Sequence, residues 1–250
     1  MADVVTLPCE SYARTVRDAF EQAGGPDALA GFERILLKPN LVNASPFPVT
    51  THPEFTAAAI DAVRAHTDAP ITIAEGTGDK DKETGEVFTA LGYEELARCK
   101  GVDLLDLNHA DLTEVSRPGC PVFPTMWLPK AAFTHCIVSL PVLKGHSMAS
   151  VTGTMKNMMG FAPPSHYQGG GWKKALFHRD MHGSIRDLNR YVTPHFTLMD
   201  ATVGLRDYHL GGPRCRPEVG MILAGADPLA VDRAAAGLLG IDWREVDHLR

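Results

Sequence analysis

One pattern recurs along the chain and constrains its fold more than any other feature: a short apolar run, a break at proline, glycine or a polar residue, then a stretch with helical spacing. The apolar runs are residues 34–42 (RILLKPNLV), 71–74 (ITIA), 102–107 (VDLLDL), 135–140 (HCIVSL), 195–199 (HFTLM) and 219–224 (VGMILA). Their length and β-branched content suit buried strands. Between them, residues 10–30 place Tyr12, Val16, Ala19 and Phe20 on one face and stop at Gly24-Gly25-Pro26; residues 51–66 start at Thr51, a candidate N-cap with Glu54 three residues on. Residues 84–99 and 173–191 read as further helices, the second with a candidate kink at Gly183, and Asp227-Pro228 caps and opens another. Alternation of this kind predicts an α/β fold, a largely parallel sheet with helices on both faces in three α/β/α layers. Residues 113–129, rich in proline and glycine, read as an irregular strand and connection. With no repeat and no long linker, residues 1–250 are expected to form one α/β domain.

The formal charge is −6, with positive charges scattered and no basic run, which disfavours a nucleic-acid partner. The first residues carry neither the basic start nor the apolar core of a signal peptide, and nowhere do about 18 apolar residues run together. A cytoplasmic protein with no membrane partner is expected. Five cysteines stand singly without a CxxC pair, which points to reduced thiols and away from a ferredoxin-type cluster. Gly76-x-Gly78 lacks the third glycine of a dinucleotide fingerprint, there is no GxxxxGK[ST] loop, and no GxSxG elbow occurs.

Polar residues concentrate just past the strand at 135–140: Lys144, His146, Ser147, Ser150, Thr152, Thr154, Lys156 and Asn157. Open α/β sheets hold ligands outside the carboxyl ends of their strands. Lysines at this place can neutralise an anion, His146 can move a proton, and Thr152 and Asn157 can orient by hydrogen bonds. Lys38 and Asn40 stand at the break of another strand, and Lys38 needs a partner when buried, for which Glu75 is the candidate. Asp200 ends a further apolar run. His178 and His182 are four apart on the expected helix and could take a metal, whereas His182 and Asp187 face different sides; His52 and His109 follow strand exits, and His209 reads as a surface or packing residue. The run HYQGGGW, with Gly169, Gly170 and Gly171, suits a mobile lid or a close backbone approach.

Several blocks together, LLKPNLV at 36–42, TTHPE at 50–54, IAEGTG at 73–78, LPVLKGHSMASVTGTMKNMMG at 140–160, His182 with Asp187-Leu188, and AGADPLAVDRAAAGLLG at 224–240, resemble the family called domain of unknown function 362. The blocks span nearly the whole chain. Longer members of that family resemble iron–sulfur proteins because a ferredoxin-like cysteine module follows the core; no such module is present here, and the chain stops at Arg250, where similar proteins continue for another helix. A fainter similarity of fold links the TTHPE and EGTG blocks to the nickel-pincer lactate racemases.

Three functions follow as expectations. The first is an enzyme, a lyase, isomerase or reductase, acting on a small carboxylate or phosphate, with Lys38, Asn40, Glu75, Thr152, Lys156 and Asn157 binding and His146, Lys144 and His182 catalysing. The second is a redox or metal-handling protein working with a separate electron carrier or a divalent metal, as the cluster-bearing relatives imply. The third is a non-catalytic ligand-binding subunit. A homo-oligomer is open under all three, and the cofactor is unknown.

Overall fold

The computed structural model describes residues 4–250. The strands, in chain order, are β1 (Val5–Pro8), β2 (Ile35–Pro39), β3 (Ile71–Glu75), β4 (Asp103–Asp106), β5 (Leu112–Ser116), β6 (Thr125–Pro129), β7 (Cys136–Leu140), β8 (Val142–His146), β9 (Ser150–Thr152), β10 (Phe196–Leu205) and β11 (Met221–Gly225). The helices are α1 (Tyr12–Gln22), α2 (Gly25–Leu29), α3 (Pro53–Arg64), α4 (Thr84–Ala90), α5 (Tyr93–Lys100), α6 (Thr154–Asn157), α7 (Pro164–Tyr167), α8 (Met181–Tyr191) and α9 (Pro228–Leu238), with short 3-10 turns between.

The main sheet runs β1-β11-β10-β7-β2-β3-β4, with β8 beside β10 and β9 beside β8. From β10 to β4 every pairing is parallel; β11 and β1 add an antiparallel edge, and β9 folds back on β8. Side chains alternate between the faces, as the period of two requires. Ile35, Leu37, Ile71 and Ile73 join α1, α3 and α5 in one core, while Leu36, Ala74 and Ile137 face Met155, Met158, Ile185 and Leu188 in the other. Each such side chain contributes about 1.5–3 kcal/mol of burial free energy. The fold is the expected three-layer α/β with a mostly parallel sheet.

Several local expectations change. The cap of α3 is His52, whose Nδ1 accepts from Glu54 N, because the Thr51 hydroxyl is committed to Leu140 O and Asn40 N. The expected helix at 84–99 divides at Gly92, and residues 112–129 form the antiparallel β5–β6 hairpin. The helix expected at 173–191 is a 3-10 turn (Ala175–Arg179) followed by α8, broken at Asp180, which caps α8 by accepting from Gly183 N. His178 and His182 therefore do not share a helix face. Asp200 lies inside the long strand β10, fully buried, where it accepts from Tyr12 Oη and Thr202. Among the described residues no helix is long and apolar enough to cross a membrane.

A candidate ligand cavity at the strand ends

At the carboxyl ends of β2 and β3 the parallel register brings Lys38 beside Ser139 of β7 and Glu75 beside Asp106 of β4. Lys38, fully buried, donates to Glu75 Oε1 at 2.8 Å, to Asn157 Oδ1 at 3.3 Å and to Pro39 O at 3.2 Å. Glu75 also accepts from Gly76 N and Leu41 N, both at 2.8 Å. Asn157 joins α6 to this floor: its Nδ2 donates to Lys38 O and Ser139 Oγ, and its Oδ1 accepts from Asn40 Nδ2 at 3.1 Å. Asn40 Oδ1 in turn accepts from Lys144 Nζ at 2.5 Å, and Lys144 donates again to Val49 O at 2.6 Å. Two glycines make this packing feasible. A Cβ on Gly160 would overlap Glu75 Oε1 and the Lys38 ammonium, and one on Gly76 would overlap Gly160 O.

Burial pushes the Lys38 ammonium below the ordinary lysine range while Glu75 opposes the shift. Lys144 has no carboxylate partner, and burial, reinforced by Lys156, drives it well below that range. Asp232 of α9 secures α6 from behind, accepting from Thr154 N at 2.6 Å and Met155 N at 2.9 Å; burial raises its carboxyl to about 6. The floor is a continuous buried network of satisfied polar groups.

Above the floor opens a cavity of about 670 Å³. Asn40, Glu75, His146, Lys156 and Asn157 line it, as expected from the sequence, together with Lys173, Lys174, His178, His209 and Trp172. His146 ends β8, and its Nδ1 accepts backbone N–H bonds from Met148 at 3.0 Å and Ala149 at 3.1 Å. That fixes the neutral ring with its proton on Nε2, and burial with the nearby Lys156 pushes the group down to about 2. His209 stacks on it at 3.9 Å between centroids and is lowered to about 3 by burial. His178 takes the opposite tautomer: Nδ1–H donates to Lys174 O at 3.1 Å, leaving Nε2 as an acceptor, and burial lowers it.

Lys174 donates to Asn108 Oδ1 at 2.7 Å and to Ala162 O, and burial lowers it to about 7. Lys173 reaches Lys82 O and Glu83. Lys156 differs from all of these: among the described residues its ammonium has no hydrogen-bond acceptor and no ion-pair partner, and burial lowers it to about 8.

Other expected site residues lie elsewhere. Lys38 and Lys144 sit beneath the lining, fully buried. The Thr152 hydroxyl is buried without a partner and does not line the cavity. His182 is outside the cavity and meets His248, Nδ1 to Nδ1 at 2.9 Å, because α8 packs against the carboxyl-terminal turn. Lys174 and His209 were not legible as site residues and His178 was read only as half of a metal pair with His182; Lys174 and His178 come from the 3-10 turn after the Gly169–Trp172 turn, and His209 from the loop after β10. The HYQGGGW signal was better: Gly170 and Gly171, both at positive φ, close a two-residue turn between Gly169 and Trp172 and set Trp172 at the cavity rim. Among the described residues no three His, Cys, Asp or Glu side chains come together as a metal-binding group.

The family model for the domain of unknown function DUF362 matches residues 35–237, every strand end and loop segment of the cavity included. The chain belongs to the DUF362 family. A curated protein similar to this DUF362 chain, a thylakoid-associated protein of Synechocystis sp., is 25% identical over 249 residues, covering 93% of the chain and 71% of the relative. Among solved structures the lactate racemase apoprotein of Thermoanaerobacterium thermosaccharolyticum is similar, with a TM-score of 0.58 at 14% identity over 93% of the DUF362 chain. That likeness is one of fold. The DUF362 chain spans 56% of the racemase's length.

Proposed function

We propose that the chain is an enzyme that binds a small carboxylate in the cavity and moves a proton on it. The observation that carries this reading is the Lys156 ammonium, without a partner among the described residues, in a cavity shared with two histidines of opposite tautomer. Lys156 would hold the anion, since a charge-assisted hydrogen bond is stronger than a neutral one. His146 would act as a fixed N–H donor from Nε2: charging the ring needs a proton on Nδ1, and two backbone N–H groups already point there. His178 Nε2, free to accept, would take the mobile proton. Lys38, Asn40, Glu75 and Asn157 would shape the floor, with their polar atoms committed to one another. Lys144 would support Asn40, and His182 would have no part.

Similarity of fold to a lactate racemase supports a small-molecule enzyme. Every step above uses the chain's own residues.

The test is exchange in D2O: small 2-oxo and 2-hydroxy acids are incubated with the protein, and loss of the proton next to the carboxylate or carbonyl is followed by NMR. Exchange that falls at least about 100-fold in His178→Phe is the expected result, the low end of general acid–base contributions. Absence of saturable binding of any small carboxylate at pH 7 would sink the reading.

A further inference from the structure

The lysines around the cavity divide sharply by their hydrogen bonds. Lys38, Lys144 and Lys174 each donate to at least two acceptors, and Lys173 donates to Lys82 O and forms an ion pair with Glu83. Lys156 donates to none among the described residues and opens onto the cavity. With its pKa lowered by burial, such a nitrogen holds an incoming anion as the ammonium and, in its neutral fraction, can attack a carbonyl, the substrate carboxylate then passing to Lys174.

We propose that Lys156 is a covalent catalyst whose Nζ condenses with a substrate carbonyl carbon to form an imine, which makes the substrate a 2-oxo acid. The inference rests on the cavity being the carboxylate site proposed above and names the substrate class within it.

Three further features of the cavity support this role. Lys156 sits on α6, whose first turn is held by Asp232 and whose last residue, Asn157, is bonded on both sides to the floor, so the amine is presented from a fixed backbone. His146 supplies a permanent Nε2–H donor to polarise a carbonyl oxygen, and His178 Nε2 supplies the acceptor. Lys174 lines the cavity with two of its three N–H bonds used, leaving one for a carboxylate. With Lys156 lowered to about 8 by burial, about a quarter of it is neutral at pH 7.5, against roughly 0.1% of an ordinary lysine.

The chemistry balances without any further reactant. The Nζ lone pair adds to the carbonyl carbon, and the carbonyl π pair moves to oxygen. The two protons of the nitrogen pass in turn through His178 Nε2 to that oxygen, the carbinolamine oxygen leaves with them as water while the nitrogen lone pair forms the C=N bond, and His178 ends neutral as it began. One water is released, nothing is oxidised or reduced, and the imine then serves as the electron sink for proton loss from the adjacent carbon.

The test traps the imine in the wild-type protein. Pyruvate or glyoxylate is added with cyanoborohydride at pH 7.5, and modification of each lysine is timed by peptide mass mapping, while pyruvate binding is measured separately by calorimetry. The expected result is reductive alkylation of Lys156, with a mass gain of the oxo acid less one oxygen, at least about tenfold faster than at any surface lysine. Its rate levels off above about pH 8, whereas the surface lysines continue to speed up. In Lys156→Met the fast site is absent. Pyruvate that binds saturably without selective labelling of Lys156 overturns the imine and leaves the carboxylate site standing. Neither binding nor selective labelling overturns both.

Discussion

The floor and the wall of the cavity use the same residue types to opposite ends. In the floor, Lys38, Glu75, Asn157, Asn40 and Lys144 form an unbroken chain in which every donor meets an acceptor. On the wall, buried His146 and half-buried Lys156 and His178 keep a nitrogen each that no protein group uses among the described residues. Burial alone does not separate architecture from chemistry here; completeness of hydrogen bonding does. A satisfied buried ion pair holds strand ends together, whereas an unsatisfied cation beside it is costly unless a ligand completes it.

That contrast can be broken most forcefully from the floor. Lys38→Met leaves Glu75 buried with only its two backbone donors, and removal of one member of such a pair costs about 3–5 kcal/mol. Urea unfolding should show that loss; a change below about 1 kcal/mol would mean the floor is not held by the pair.

Acid offers a second test, on the wall. The folded chain holds His146 at about 2 and His209 at about 3, far below the ordinary 6.5. Between these values and 6.5 the unfolded chain binds more protons, so stability falls as pH drops below about 6.5. His146→Gln, whose amide oxygen can still accept from Met148 N and Ala149 N, should flatten that decline in a series of urea midpoints. An unchanged slope would show that the ring is not held neutral.

Lys156→Met should give the reverse of the Lys38 result. Affinity for lactate, a carboxylate with no carbonyl to form an imine, is expected to fall at pH 7 by about 1.5–3 kcal/mol, the range for hydrogen bonds to charged groups, with stability unchanged or slightly raised. In the wild type the same affinity should weaken as pH rises through about 8, where the ammonium is lost. Calorimetry across pH 6.5–9 reads both. The smallest effect is expected at Asp232→Asn, which trades a carboxylate for a neutral acceptor at the start of α6 and should cost about 1 kcal/mol in thermal unfolding, the usual scale of a helix cap.

Much of the floor was legible in the chain. Lys38 at a proline break and Glu75 ahead of Gly76 could be paired on paper because a buried lysine needs a partner and both stand at strand ends. Asn40, Lys156, Asn157 and His146 were legible for the same reason, since parallel strands deliver their exits to one side of the sheet. The pairing of His178 with His182 misled, because histidines four residues apart look paired on a continuous helix and the break at Asp180 cannot be read from helical spacing. Thr152 pairs across the strands with Lys144, beneath the lining, so its hydroxyl is buried without reaching the cavity. Lys174 and His209 carried no local mark at all, and His178 was marked only by its spacing to His182.

The sequence by itself determined the layers, the direction of the strands and the crowding of polar groups after β2, β3 and β7, because those depend on periodicity and on where short apolar runs stop. Only the tertiary structure decided which polar atoms were satisfied. The tautomers of His146 and His178 depend on backbone groups that face them in three dimensions, and the solitary Lys156 nitrogen is defined by acceptors that four neighbouring lysines have and it lacks. A hydrogen-bond inventory is a property of distances, and residues 40, 75, 146, 156, 178 and 209 come within one cavity only after the sheet has closed.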